Sequence, residues 1–334
     1  MKKINFKIIL KMKKCIFVFI ALFLILSCNS QENNSITDTT TFNTGSLKGK
    51  VKSLKETIYE IDKNQNKTLF ITEEERPYKV FFDERGNVVE NEQYNSEGEV
   101  FLKYISIYTY SNNIIKSKES YCRGYLCMNE GKIITKYNDK NLVIEITTYD
   151  AKGEVISTEK FQYDEKDKLI KETLKGFYYS EGGDFEIEKH PIDRVRTYNY
   201  KYENGNLIEE TCSDGKIKRY DTKGRIVEER RLDYTDYFYN YDERNNLIKK
   251  VKVYHPNNSL ERTETTYKYD NNNNLVEEIT SYGSRTFYKY DNRNNLIEET
   301  FKDGSKITYK YDEKGNWVEK RQNNFLTERI IEYY

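Results

Sequence analysis

From Tyr288 to Trp317 the chain reads YKYDNRNNLIEETFKDGSKITYKYDEKGNW, and it states one pattern twice. Tyr-Lys-Tyr-Asp begins at Tyr288 and begins again at Tyr309. In the second copy Ile307, Tyr309 and Tyr311 alternate with Lys306, Thr308 and Lys310. A period of two sends the first set to one face of an extended strand and the second set to the other, which is the pattern of a half-buried strand. Tyr198, Tyr200 and Tyr202 repeat the alternation, as do Tyr237, Tyr239 and Tyr241. Thr265, Tyr267 and Tyr269 follow it with a weaker first member.

Each such strand runs into the frame Asp-x-x-Gly/Asn-x-apolar. The copies are Asp83-Gly86-Val88, Asp150-Gly153-Val155, Asp221-Gly224-Ile226, Asp242-Asn245-Leu247, Asp270-Asn273-Leu275, Asp291-Asn294-Leu296 and Asp312-Gly315-Trp317. Asp at the first position can bond the backbone ahead of it. Gly or Asn at the fourth tolerates positive φ, as a type I turn with a bulge requires. Asn95-Gly98-Val100 is a looser copy, and Asp164-Asp167-Leu169 bends the rule. YENGNL (202–207) and YNDKNL (137–142) read as loops one residue shorter. The return strands are NLIEET (twice), NLIKKV and NLVEEI. Their acidic pairs predict Lys–Glu pairs across strands on the solvent face, each worth about 0.2–1 kcal/mol. Charged edges also discourage aggregation between sheets. Frames beginning at Asp221, Asp242, Asp270, Asp291 and Asp312 are spaced 21, 28, 21 and 21 residues apart. A period of that size means stacked supersecondary units. The expected fold is all-β, an array of antiparallel β-hairpins, with no sustained helical periodicity.

Composition agrees. The 334 residues carry 55 Lys and Arg against 55 Asp and Glu, so no net field draws the chain to nucleic acid or anionic lipid. Charged residues are 33% of the chain, yet 31 tyrosines supply amphipathic bulk for thin, half-exposed elements.

The N-terminus is an address rather than part of the fold. Six lysines between Lys2 and Lys14 precede the apolar run Ile16–Leu26, which is too short to span a bilayer, a task for roughly 20 residues. The run ends in Ile25-Leu26-Ser27-Cys28, similar to a bacterial lipobox, so residues 1–27 are expected to be a lipoprotein signal and Cys28 the lipidated mature N-terminus. Met12 makes a more usual start than Met1. Residues 28–45 are polar and read as a flexible tether, with a reach of roughly 20–25 Å. By the sorting of the lipoproteins it resembles, Asn29 favours the outer membrane. Residues 46–334 are the β-repeat domain.

Enzyme signatures do not emerge. His190 and His255 both precede proline and read as loop punctuation. HExxH, Gly-x-Ser-x-Gly, P-loop and Gly-x-Gly-x-x-Gly patterns are missing from the sequence. Asp270 to Asn274 lacks the spaced acidic ligands and closing Glu of an EF-hand, and reads as a turn. No catalytic residue, metal ligand or cofactor is therefore assigned. Cys122 and Cys127 stand either as a local disulfide in an oxidising compartment or as two thiols, and Cys212 reads as core. An aromatic patch at Tyr237, Tyr239 and Tyr241, with Phe238 on the opposite face, is the candidate binding surface.

The 288–317 stretch is similar to the YD repeats of the RHS family, over about residues 78–320. GKVKSLKETIYE (49–60) and the closing YDEKGNWVEKR and RIIEYY resemble the ends of bacterial RHS-repeat lipoproteins. That resemblance implies hairpins curling into a spiralling sheet. The encapsulated toxin and self-cleavage of large RHS proteins are not carried over, because the chain is short and lacks Asp-Pro.

Two functions follow as expectations. The first is a non-enzymatic outer-membrane lipoprotein that binds a glycan or an envelope protein and does not bind nucleic acid. The alternative is an envelope enzyme with a site built from carboxylates. An outer-membrane barrel ending at Tyr334 is disfavoured, since Lys, Glu and Asn occupy strand faces that would meet lipid. If Cys28 carries the lipid, labelled fatty acid enters the wild type, while Cys28→Ala is unlabelled and leaves the membrane fraction. Normal labelling and retention of that variant would refute the assignment.

Overall fold

A computed structural model describes residues 47–72, 75–124, 131–181, 187–255 and 260–334. Among them are 23 strands and no helix, so the all-β expectation holds. The signal, Cys28 and the tether lie outside the described residues. So does Cys127, while Cys122 is disulfide-bonded and Cys212 is free and buried.

The described residues group into two compact units. In one, the strands Val100–Ser111, Ile114–Gly124, Lys132–Tyr137, Val143–Tyr149 and Val155–Tyr163 pair antiparallel, each with the next. In the other, which includes residues 48–99 and 196–334, the up-and-down run extends from Tyr198 to the last strand, Phe325–Tyr333.

The Asp frames form the turns expected of them. In the copy at 291, Asp291 N–H donates to Asn295 O (2.9 Å) and Asn294 N–H to Asp291 O (3.1 Å). The Asp291 carboxylate accepts the N–H groups of Arg293 and Asn295 at 2.9 and 2.8 Å. The fourth position has φ of +61° at Asn294 and +82° at Gly315. Even Asp167 in the bent copy adopts φ +63°. One loop departs from expectation. YNDKNL is not shortened, because Asn138 takes the Asp role: its side chain accepts the Lys140 and Leu142 N–H groups, and Asn141 has φ +60°. YENGNL does hold a tighter loop, with Asn204 and Gly205 both at positive φ.

The open, spiralling sheet is corrected by the pairing of the chain ends. The first strand, Val51–Ile61, pairs on one side with Tyr78–Phe82 and on the other with Phe325–Tyr333. The first and last strands of the array are thus neighbours, and neither is a free edge. Closure is the way barrels remove the unpaired edges that an open sheet exposes. The most deeply buried side chains, Leu54, Leu326, Val80 and Ser53, all belong to these three strands. A buried ion pair joins them too. Arg329 Nε donates to Glu56 Oε2 at 2.7 Å, and its guanidinium lies 3.4 Å from the Trp317 ring centroid.

Just before the first strand, the chain docks on the last Asp turn. Lys48 N–H donates to Asn316 Oδ1 (2.7 Å), and Asn316 Nδ2 returns a bond to Lys48 O (2.8 Å). Asn316 Nδ2 also donates to Tyr333 Oη (2.7 Å), whose hydroxyl donates to Asp312. Gly315→Val places a β-branched residue at φ +82° in this clasp. A Cβ there would stand 2.9 Å from Lys48 Nζ, which can swing aside, so backbone strain dominates. We expect a loss of about 1–3 kcal/mol in thermal or urea unfolding. Gly304→Asn, at φ +84° in open space, should stay close to wild type. Equal melting of Gly315→Val and wild type would contradict the assignment.

Candidate functional site

Adjacent strand residues point to opposite faces, and this divides each Glu-Glu pair. Glu298 joins the lysine face, where Lys289 Nζ (2.7 Å) and Lys306 Nζ (3.1 Å) reach it from the two neighbouring strands. Those two bonds hold its carboxyl down at about 2. Lys268 and Arg285 flank Glu277 in the same way, while Glu319 is held by Lys310 from the neighbouring strand and by Arg321 two residues along its own. Glu299 turns to the tyrosine face and accepts Tyr309 Oη at 2.6 Å. Tyr220–Glu210 (3.0 Å), Tyr239–Glu229 (3.2 Å) and Tyr288–Glu278 (3.3 Å) repeat the contact. The expected Lys–Glu pairs therefore use one acid of each pair, and the other is taken up by a phenol.

In four of these strands the last tyrosine has a different partner, the carbonyl that opens the preceding return strand. Tyr241 donates to Ile226 O, Tyr269 to Leu247 O and Tyr290 to Leu275 O, each at 2.9 Å, and Tyr311 to Leu296 O at 2.6 Å. Each repeat is thereby bonded to the one before it through side chains as well as through its ladder.

Within this scheme lies the candidate patch. Tyr237 and Tyr239 stack with ring centroids 6.4 Å apart and planes 19° apart. Arg231 and Lys250 sit over the Tyr237 ring at 4.7 and 4.9 Å, and Arg225 over Tyr241 at 4.6 Å. All three tyrosines are half-buried. Phe238 lies on the opposite face, where with Asn240, Val251, Val253 and Arg262 it lines a shallow hollow of about 390 Å³. His255 Nε2 stands 3.4 Å from Asp236 Oδ2, while His190 is half-buried in the strand Ile187–Glu203. Asp270 binds its own turn, accepting the N–H groups of Asn272 and Asn274 at 2.8 Å.

Sequence reasoning missed the turns at the other end of these strands. Thr280–Ser284 and Phe301–Ser305 repeat the hydrogen-bond pattern of the Asp turns without a leading Asp, and their fourth residues, Gly283 and Gly304, have positive φ. Those two glycines were the available signal. The spacing of 28 coincides with two longer strands, Leu247–Tyr254 (8 residues) and Glu261–Tyr269 (9 residues), against 6 in Leu275–Thr280.

No family model matches the chain, and no curated protein matches it. Solved structures do. The chain is similar to the TcdB2-TccC3 toxin complex (11% identity over 75% of this chain and 19% of that one, TM-score 0.29). It is similar to the Photorhabdus luminescens Tc holotoxin pore carrying a TccC3 mutation (13% identity, 74% and 18%, TM-score 0.27). A porin-like protein from Bacteroides uniformis matches at 9% identity over 86% of this chain and 99% of that one, with TM-score 0.26. The chain spans about a fifth of the length of the toxin chains it matches.

Burial and the charges of Glu278 and Glu299 push Tyr288 up to about 12, and burial raises Tyr163 to about 12. A raised phenol pKa leaves the folded state neutral while the unfolded chain ionises near 10. Stability is therefore full below pH 10 and falls as pH rises from 10 toward 12. In an alkaline titration followed by phenolate absorbance and far-ultraviolet circular dichroism, part of the phenolate signal should appear cooperatively with loss of the β spectrum. Complete ionisation near pH 10 with an intact β spectrum would contradict the burial of these rings.

Proposed function

We propose that the chain is an exported lipoprotein of the RHS/YD-repeat type, held in the bacterial outer membrane through lipid on Cys28. Its β-repeat domain displays a non-enzymatic surface that binds a glycan or an envelope protein. The observation that carries this reading is where the chain enters the sheet. Lys48 docks at the Asp-turn end of the strands, so a tether leading from a lipid would join that end and leave the opposite turns free to meet a ligand. The repeat's carboxylates support a scaffold role, because they are engaged by lysines, arginines and phenols along both faces. The candidate contacts are the Tyr237–Tyr241 strand and the turns beside it. With acids and bases in balance, few net charges are neutralised on binding, and salt should affect affinity weakly.

The test is a screen of the full-length chain in detergent micelles against glycans and envelope proteins, at low and high salt. It should be paired with crosslinking on intact cells. The expected result is a ligand held with similar affinity at both salt concentrations. Steeply salt-dependent binding to a polyanion, or turnover of any screened substrate, would overturn the reading.

A further inference from the structure

Taken face by face, the even charge of the chain comes apart. The six strands from Glu261–Tyr269 to Trp317–Gln322 each pair with the next, and all of their connections are described. On the face that holds Glu298, Glu277 and Glu319 also have two cations apiece. Glu264 has Arg262 at 3.5 Å on its own strand, and Lys249 reaches it at 2.7 Å from the strand before. Within the six strands that face therefore carries seven cations against four acids. Their opposite face has the other sign, with Lys320 against Glu261, Glu278 and Glu299.

The acids are also the deeper members of these pairs. Glu277, Glu298 and Glu319 have side chains 7–18% exposed, whereas the lysines that bind them, Lys268, Lys289, Lys306 and Lys310, are 50–69% exposed. Anything approaching this face meets ammonium groups first. The connecting turns do not reverse the sign. Asp270, Asp291, Asp303 and Asp312 accept N–H groups of their own turns, which leaves Glu313 against Arg293, Lys302 and Lys314. In the middle of the face stands Phe287, opposite Glu277 on one side and Thr300 on the other, and 42% exposed. The Arg285 guanidinium lies 4.8 Å from its ring centroid.

We propose that this face docks on the anionic lipid headgroups of the membrane that anchors the chain, with its lysines against the phosphates and Phe287 among the headgroups. The inference goes beyond ligand binding and rests on the lipid anchor proposed above. Six strands span about 24 Å, which suits an extended charged surface better than a small ligand. An exposed aromatic ring amid cations is the composition of an interfacial surface, and a soluble polyanion has no use for the ring. Attraction to headgroups fades within a Debye length, roughly 8–10 Å, and three net charges would hold a free protein weakly. A tether reaching roughly 20–25 Å supplies the missing term, because it keeps the face at high effective concentration beside the headgroups. The Tyr237–Tyr239 stack lies on the opposite face, so the two contacts do not compete.

The test places the full-length lipidated chain in vesicles of phosphatidylcholine, alone or mixed with phosphatidylglycerol, and labels lysines with a water-soluble amine reagent read by mass spectrometry. Phosphatidylglycerol should slow labelling of Lys268, Lys289, Lys306 and Lys310 by about fivefold, and high salt should restore it. Lys252 and Lys320, on the opposite face, should label alike in both vesicles. Lys289→Gln with Lys310→Gln leaves Glu298 and Glu319 a cation each, so the fold should persist while Lys268 and Lys306 lose most of their protection. Equal labelling of the four lysines in both vesicles would overturn the inference, and the anchor would still stand if wild type floats with vesicles and Cys28→Ala does not. If wild type does not float either, the anchor falls and the inference with it. If heparin added to phosphatidylcholine vesicles protects the same lysines as well as phosphatidylglycerol does, the face is a general polyanion site and the membrane assignment is overturned.

Discussion

Everything in the larger unit depends on one strand finding both its neighbours. Val51–Ile61 must pair with Tyr78–Phe82, which is close in sequence, and with Phe325–Tyr333, which is at the far end of the chain. The second pairing joins residues such as Leu54 and Ile331 across most of the polypeptide. Closing so long a loop is entropically unfavourable, though the cost grows only slowly with length. The deepest burial in the protein lies at the join and offsets it, with Leu54, Val80 and Leu326 almost fully excluded from solvent. The Glu56–Arg329 pair sits in the same place, with Trp317 against the guanidinium. A buried pair of this kind contributes little net stability while both partners are present, yet leaves a stranded charge when one is missing. It rewards the correct closure and penalises a slipped one.

Between its ends the sheet relies less on oil than on parity. Two successive glutamates cannot point the same way along a strand, so one meets lysine or arginine and the other meets tyrosine. A chain with as many acids as bases is then an ordinary outcome of the repeat, and its neutrality needs no functional cause. Fully buried apolar residues are correspondingly few. The phenol-to-carbonyl bonds, each reaching from one repeat to the one before, supply directional contacts where a thicker core would supply packing.

Local rules made the middle of the fold legible and left its ends obscure. An Asp, then Gly or Asn three residues on, is enough to specify a turn, because the constraint is a single carboxylate and one φ angle. At Asn138 an amide does the carboxylate's work, a substitution recognised at Asn95 and missed here. The turns of the other rim lacked the leading Asp and were passed over, though Gly283 and Gly304 marked them. Closure had no local signature at all: nothing in VKSLKETIYEI distinguishes a strand that pairs on two sides from one that pairs on one. The site followed the same division. Alternation placed Phe238 opposite Tyr237 and Tyr239, as the structure has it. The cations over those rings, Arg231 and Lys250, come from a turn and a neighbouring strand and had no local signal.

The docking of Lys48 on the Asp312–Asn316 turn has a mechanical meaning. Residue 48 leads straight into the strand at 51–61, so tension arriving from the N-terminal segment runs along that strand's own axis. Hydrogen bonds on both of its sides would be loaded together, in shear, instead of being peeled apart one at a time. The contacts of Lys48 with Asn316 would have to part before that load reached the ladder. Tension on the N-terminal segment would thus be met by the strand that holds the most deeply buried side chains.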